Sequence, residues 1–140
     1  MILHRSAESK QKELAAHKAQ AIQDINQLIG AVRLLFITDI AGQQMIYAEK
    51  EREANSFLAA VPEPSDLAPY PFIFQEMNAT GMTAYEVAQM FLNLSVHWRA
   101  VGSSLEGVRI NANATVDEAS TRAEIESALG FLRLTLEGYR

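Results

Sequence analysis

The chain has 140 residues, 49% of them hydrophobic, with 12 Lys and Arg against 17 Asp and Glu, a formal net charge of -5 and no cysteine. That is enough for one domain with a real core and short for two. The acidic balance, with its basic residues scattered, argues against a general affinity for nucleic-acid backbones or anionic lipid, and the missing cysteine excludes a disulfide framework, a thiolate nucleophile and a cysteine-ligated metal.

From the N-terminus, Met1 to Ser9 reaches His4 and Arg5 after a short apolar start, so no secretory signal is expected. The most apolar run, Leu28 to Ala41, is shorter than the roughly 20 residues a bilayer requires and carries Arg33 and Asp39, so no membrane span is expected. Between Ser6 and Val61 there is no proline, and Ala, Gln, Glu, Lys and Leu dominate. These are strong helix formers, and the composition predicts one long helix over about 6–61. Its apolar face is carried by Leu14, Ala21, Leu28 and Leu35 with Ile25, Val32 and Ile46. A flanking row of Ile22, Ile29 and Phe36 widens the face, as expected of a helix contacted from more than one side. Gly30 and Gly42 each cost about 1 kcal/mol in a helix interior and mark either close helix approach or a bend. The run Glu49 to Glu53 reads as a solvated face held by charge pairs three and four apart.

Pro62, Pro64, Pro69 and Pro71 stop that helix near Val61 and predict an extended turn over 62–71. Pro71 suits the first turn of a short helix, about 72–78, that Gly81 terminates. Its aromatics, Phe72 and Phe74 with Tyr70, are placed to plug the end of a bundle. Thr83 followed by Glu86 is a capping box that opens the next helix, about 84–119. Along it the apolar residues keep a heptad period, with Phe91, Trp98 and Leu105 in one row and Leu94, Val101 and Val108 in the other. These six form the expected hairpin seam. Ser120, Thr121 and Glu124 repeat the box and predict a last helix over about 122–137. With Ile125, Leu129, Leu132 and Leu136 on one face and Phe131 and Leu134 on another, it is too apolar for a lone surface element. It either completes the bundle against the first helix or carries an oligomer interface.

The expected fold is therefore all-α: a single domain, 1–140, built as a long antiparallel helical hairpin with coiled-coil-like packing, a short helix at the proline-rich turn, and a C-terminal helix folding back. A hairpin turning near residue 72 sets Tyr47 opposite Trp98 and Asp39 opposite residues near 106. A carboxylate in so apolar a stretch needs a partner. Asp39 with Arg109 is the expected ion pair, Arg99 the second candidate, and an Asp39 that faces water the alternative.

No motif carries catalytic or cofactor chemistry. His4, His17 and His97 are too far apart for a helical metal pair, and no Glu-x-x-His repeat supplies a di-metal bundle. Gly102, Ser103 and Ser104 fall inside a helix and not on a strand-to-helix turn, so they make neither a phosphate loop nor a nucleophile elbow. No enzyme activity, cofactor or metal is expected. The enzyme reading needs Asp39, Tyr47 and Arg109 around a water-filled cavity.

A resemblance adds to this reading. The order Ile37-Thr38-Asp39, Gly42-Gln43, Tyr47, Lys50-Glu51-Arg52-Glu53-Ala54, Phe57-Leu58 and Tyr70-Pro71 resembles a helical domain found near the ends of bacteriophage tail and tail-fibre proteins. Glu76, Gly81-Met82-Thr83-Ala84, Ala88, Trp98, Glu106-Gly107-Val108-Arg109 and Ala119-Ser120-Thr121 are similar to its second half, so the resemblance covers about 20–128. It implies a non-enzymatic structural protein of the virion, located in the phage tail and made in the host cytoplasm. Its implied partners are other copies of itself and other phage structural proteins, with docking through the apolar faces of the first and last helices. The alternative is a small assembly chaperone or adaptor that binds a partner's helix.

Overall fold

A computed structural model describes residues 6–38 and 40–140. Among them every regular element is a helix: α1 (Ala7–Arg33), α2 (Gln43–Ala59), α3 (Pro71–Thr80), α4 (Ala84–Glu118) and α5 (Arg122–Glu137). Helices pack on helices, so the fold is all-α.

The expected first helix is two helices. α1 starts where the Ser6 hydroxyl accepts from the Ser9 amide, 3.1 Å, and ends at Arg33 with tightened turns in which Leu35 donates to Val32 and Phe36 to Arg33. Phe36, Ile37, Thr38 and Ile40 are β-branched or aromatic and lose side-chain freedom in a helix. Gly42 then adopts φ 82°, the left-handed region, as the residue before α2. Of the two sequence readings of Gly42, the bend is the one realised. A side chain there is strained although a Cβ would meet no neighbouring atom, so Gly42→Ala is expected to cost about 1 kcal/mol, read as a lower urea midpoint.

The chain also forms two compact units where one domain was expected: Met1–Ile37 with Gly102–Arg140, and Thr38–Val101. Burial on α4 falls into two blocks, Val87, Ala88 and Phe91 in one unit and Leu105, Ala112, Val116 and Ala119 in the other. The even seam expected along the whole helix is therefore not present. Phe91 and Leu105 are buried, Trp98, Val101 and Val108 are half-buried, and Leu94 is 61% exposed.

In the unit built from both chain ends, α1, the second half of α4 and α5 enclose a core of Ile25, Ile29 and Val32 with Leu105, Val116, Ile125, Leu129, Leu132 and Leu136. The buried α1 positions Ala21, Ile25, Ile29 and Val32 recur at three and four residues, one helical stripe. α1 and α4 are antiparallel here, because Lys18 Nζ donates to the Asp117 carbonyl at 2.6 Å and Arg33 reaches Glu106 at 3.1 Å. Glu106 thus meets Arg33, which the simple hairpin register did not anticipate. That register counted one unbroken helix where α1 ends at Arg33 and α2 begins at Gln43.

In the other unit, α2, α3 and the first half of α4 surround Ala54, Phe57, Tyr70, Ile73, Val87, Ala88 and Phe91. Tyr70 meets Phe57 edge to face at 5.4 Å, so Tyr70 does plug the core, while Phe72 is half-buried and Phe74 exposed. Gly81, at φ 76°, ends α3 as expected. The charged run on α2 is only partly a solvated face. Glu49 holds Arg52 at 2.8 Å on the surface, and Glu51 pairs with Arg99 of α4 at 2.5 Å. Glu53 is a correction: it is 1% exposed, and both its oxygens accept from the Phe72 amide at 3.0 Å.

Candidate interaction surface

α5 is the element whose sequence serves two faces. The Thr121 hydroxyl accepts from the Glu124 amide, 3.2 Å, the first half of a capping box, while the Glu124 carboxylate reaches one residue past the cap to accept from the Ser120 amide, 2.7 Å, and the two bonds fix where the helix begins. That start sets the rotation of every later residue. Ile125, Ala128, Leu129, Leu132 and Leu136 point into the core. Phe131 and Leu134 are then left 73% and 68% exposed. The six residues expected as an interface are thus divided: Ile125, Leu129, Leu132 and Leu136 complete the bundle, and Phe131 and Leu134 face outward.

Beside the outward face, α4 and α5 border an open groove of about 700 Å³. Its walls are built largely of short side chains, among them Ala112, Thr115, Ala119, Ala123 and Ala128, with Phe131 among the lining residues. Gly130 lies in α5 next to Phe131, and a Cβ there would meet no atom within 4 Å. Glycine costs about 1 kcal/mol against alanine in a helix interior, and no crowding among the described residues requires it. A flank of charges of alternating sign, Arg122, Glu126, Arg133 and Glu137, runs along the same helix, with Arg122 4.0 Å from Glu126.

A second hollow, about 490 Å³, follows the first half of α4 and is lined by Met82, Tyr85, Met90, Leu94 and His97 among others. Leu94, expected in the seam, instead presents its side chain here. Lys50 of α2 lies 5.0 Å from the centre of the Phe91 ring and 3.7 Å from Glu76 of α3, so one ammonium ties α2 to both neighbours.

The charged residues form structural pairs. Arg109 donates to Glu106 from Nε at 2.9 Å and from Nη2 at 2.5 Å, and Arg33 adds a third bond at 3.1 Å. Glu106, not singled out in the sequence as an ion-pair partner, is the acceptor, and its position three residues before Arg109 was the available signal. The expected partner, Asp39, lies outside the described residues. Hydrogen bonds from Arg109, then the charges of Arg109 and Arg33, hold the Glu106 carboxyl below its ordinary pKa. A depressed carboxylate contributes stability above its unfolded pKa and loses it as pH falls through the folded one. Glu106→Gln is therefore expected to melt below the wild type at neutral pH and to converge with it in acid, as followed by circular dichroism.

Tyr47 and Arg109, which the enzyme reading would bring together, have separate partners. The Tyr47 hydroxyl accepts from the Thr38 amide at 3.0 Å, which lowers the phenol's pKa, while Arg109 is engaged by Glu106. Among the described residues, no group of three metal-ligating side chains is positioned to hold an ion, and no helix is long and apolar enough to cross a membrane. Compared with protein-family models, curated proteins and solved structures, the chain matches none.

Proposed function

We propose that this chain is a non-enzymatic interaction protein of a phage particle, a component of the tail or tail fibre that works by docking helical surfaces on copies of itself and on other particle proteins. The observation that carries the interaction role is the two-faced α5, which leaves Phe131 and Leu134 in solvent beside an apolar groove after its core face is filled. Two large apolar side chains exposed side by side next to an apolar groove support a contact surface there. The phage setting rests on the residue runs that resemble tail and tail-fibre domains, from Ile37-Thr38-Asp39 to Ala119-Ser120-Thr121.

The test is to purify particles by density gradient from the lysed strain that carries the gene and to quantify the protein by mass spectrometry. A fixed copy number relative to the tail proteins is the expected result. Absence both from particles and from complexes with tail proteins would overturn the reading. A second reading, an assembly chaperone or adaptor, is favoured by the openness of the α4–α5 groove, which can receive a partner's helix. Under that reading the protein is found with free tail proteins and is missing from finished particles.

A further inference from the structure

Resting on the reading of α5 as an interaction surface, we infer that the occupant of its outward face is α5 of a second copy, laid antiparallel across a two-fold axis near Gly130. Three features of the helix meet there. Ala123, Ser127, Gly130 and Leu134 recur at four, three and four residues on the side away from the core, where short side chains let another backbone approach closely. Gly130 has open space in place of a side chain, and Phe131 and Leu134 supply the exposed apolar area.

The charges select the direction. Arg122, Glu126, Arg133 and Glu137 share one flank of that face and read plus, minus, plus, minus along the helix. In an antiparallel pair, like flanks meet. An axis between Leu129 and Gly130 sets Arg122 against Glu137 of the second copy and Glu126 against its Arg133. By symmetry each contact occurs twice, so four opposite-charge contacts form and no like-charge contact does. Parallel pairing in register would set this flank against the opposite flank of the second copy, where Phe131 lies, and leave these charges without partners. The same axis carries Phe131 of each copy toward the groove side of the other copy's α5. The face is complementary to itself in charge.

The full chain is examined by light scattering coupled to size exclusion over a dilution series, with secondary structure checked in every variant. The expected wild type is a dimer that dissociates on dilution. Phe131→Ser with Leu134→Ser changes only exposed positions and is expected to give a folded monomer. Glu126→Arg or Arg133→Glu alone places like charges across both symmetric contacts and weakens association about tenfold. The double variant restores it. Because the chain has no cysteine, a single introduced one reports the geometry. Gly130→Cys is expected to form a disulfide-linked dimer under mild oxidation. Ala123→Cys is not, since the two copies of that residue would be about 20 Å apart at 1.5 Å of rise per residue.

A wild type that is monomeric at every concentration, a charge swap that fails to restore association, or cross-linking at residue 123 in place of 130 would each overturn the inference. Its failure is separable from failure of the wider proposal. A monomer that is nevertheless retained in particles, and lost from them with the Phe131 and Leu134 variant, sinks the self-pairing alone. A dimer that never associates with tail proteins or particles sinks the phage role alone.

Discussion

Phe57→Ala is expected to destabilise the Thr38–Val101 unit by about 3–5 kcal/mol, the range for removing a buried aromatic ring. Phe57 is 1% exposed. It belongs to the cluster that joins Ala54 on α2 to Tyr70 and Ile73 around the start of α3 and to Val87, Ala88 and Phe91 on α4. Its edge-to-face contact with Tyr70 is lost with it. Amide exchange followed by mass spectrometry checks this directly, with protection falling first over α2 and α3. Phe57→Leu, which keeps most of the volume, should recover most of the loss. An alanine variant within 1 kcal/mol of the wild type would mean that the cluster does not hold the unit together.

Glu53 gives the second large effect, and its sign depends on pH. Glu53→Ala removes the acceptor of the Phe72 amide at the start of α3 and leaves space in a buried site. A loss of about 3 kcal/mol is expected from the unmet donor and the cavity together. Glu53→Gln keeps an oxygen for that donor and removes the charge. Burial raises the Glu53 carboxyl above its ordinary pKa, opposed by the Phe72 and Ile73 amides and by Arg52. For a raised carboxyl, the stabilising contribution is complete below the unfolded pKa and is lost as pH rises through the folded value. The wild type should therefore lose ground to Glu53→Gln as pH climbs through and above the carboxylate range. Urea midpoints at several pH values between acid and neutral measure this difference. A gap between the two that does not change with pH would show that the carboxyl is not strained by its burial.

These effects bear on how much of the molecule its sequence disclosed. The ends of α4 and α5 were legible because each carries its own chemistry, Thr83 with Glu86 and Ser120-Thr121 with Glu124, and a cap acts within one turn. Gly81 and Pro71 bounded α3 for the same local reason. The break between α1 and α2 was present as Gly42 and the β-branched run before it. Strong helix formers on both sides outweighed it when propensity was summed over the whole stretch.

Residues whose setting depends on distant chain were the ones misread. Glu53 has the surroundings of a surface charge along α2 and becomes buried when Phe72, on another helix, comes to lie over it. Leu94 keeps heptad spacing, but spacing does not supply a neighbour. The error in register followed from the break, since a single helix counted through to Val61 advances the chain differently from one that ends at Arg33 and a second that begins at Gln43. At the candidate surface, the sequence marked α5 as having two apolar faces but could not say which face the bundle would use. Once Ile125, Leu129, Leu132 and Leu136 are inside, Phe131 and Leu134 must be outside.

The short helix α3 lacks an amino-terminal cap of its own. Tyr70 precedes it without a side-chain hydrogen bond to its first turn, and the acceptor for Phe72 is supplied by Glu53 of α2. Ten residues are too few to sustain a helix in water, where nucleation is unfavourable and isolated helices below about 12–15 residues are marginal. α3 is therefore expected to depend on α2 for its existence: a peptide of that segment alone should be coil by circular dichroism, and the helix should form only where α2 presents its carboxylate and the Phe57 ring. Chain made only as far as Ala59 has no α3 to fold, and chain made through Gly81 without an ordered α2 has no reason to fold it.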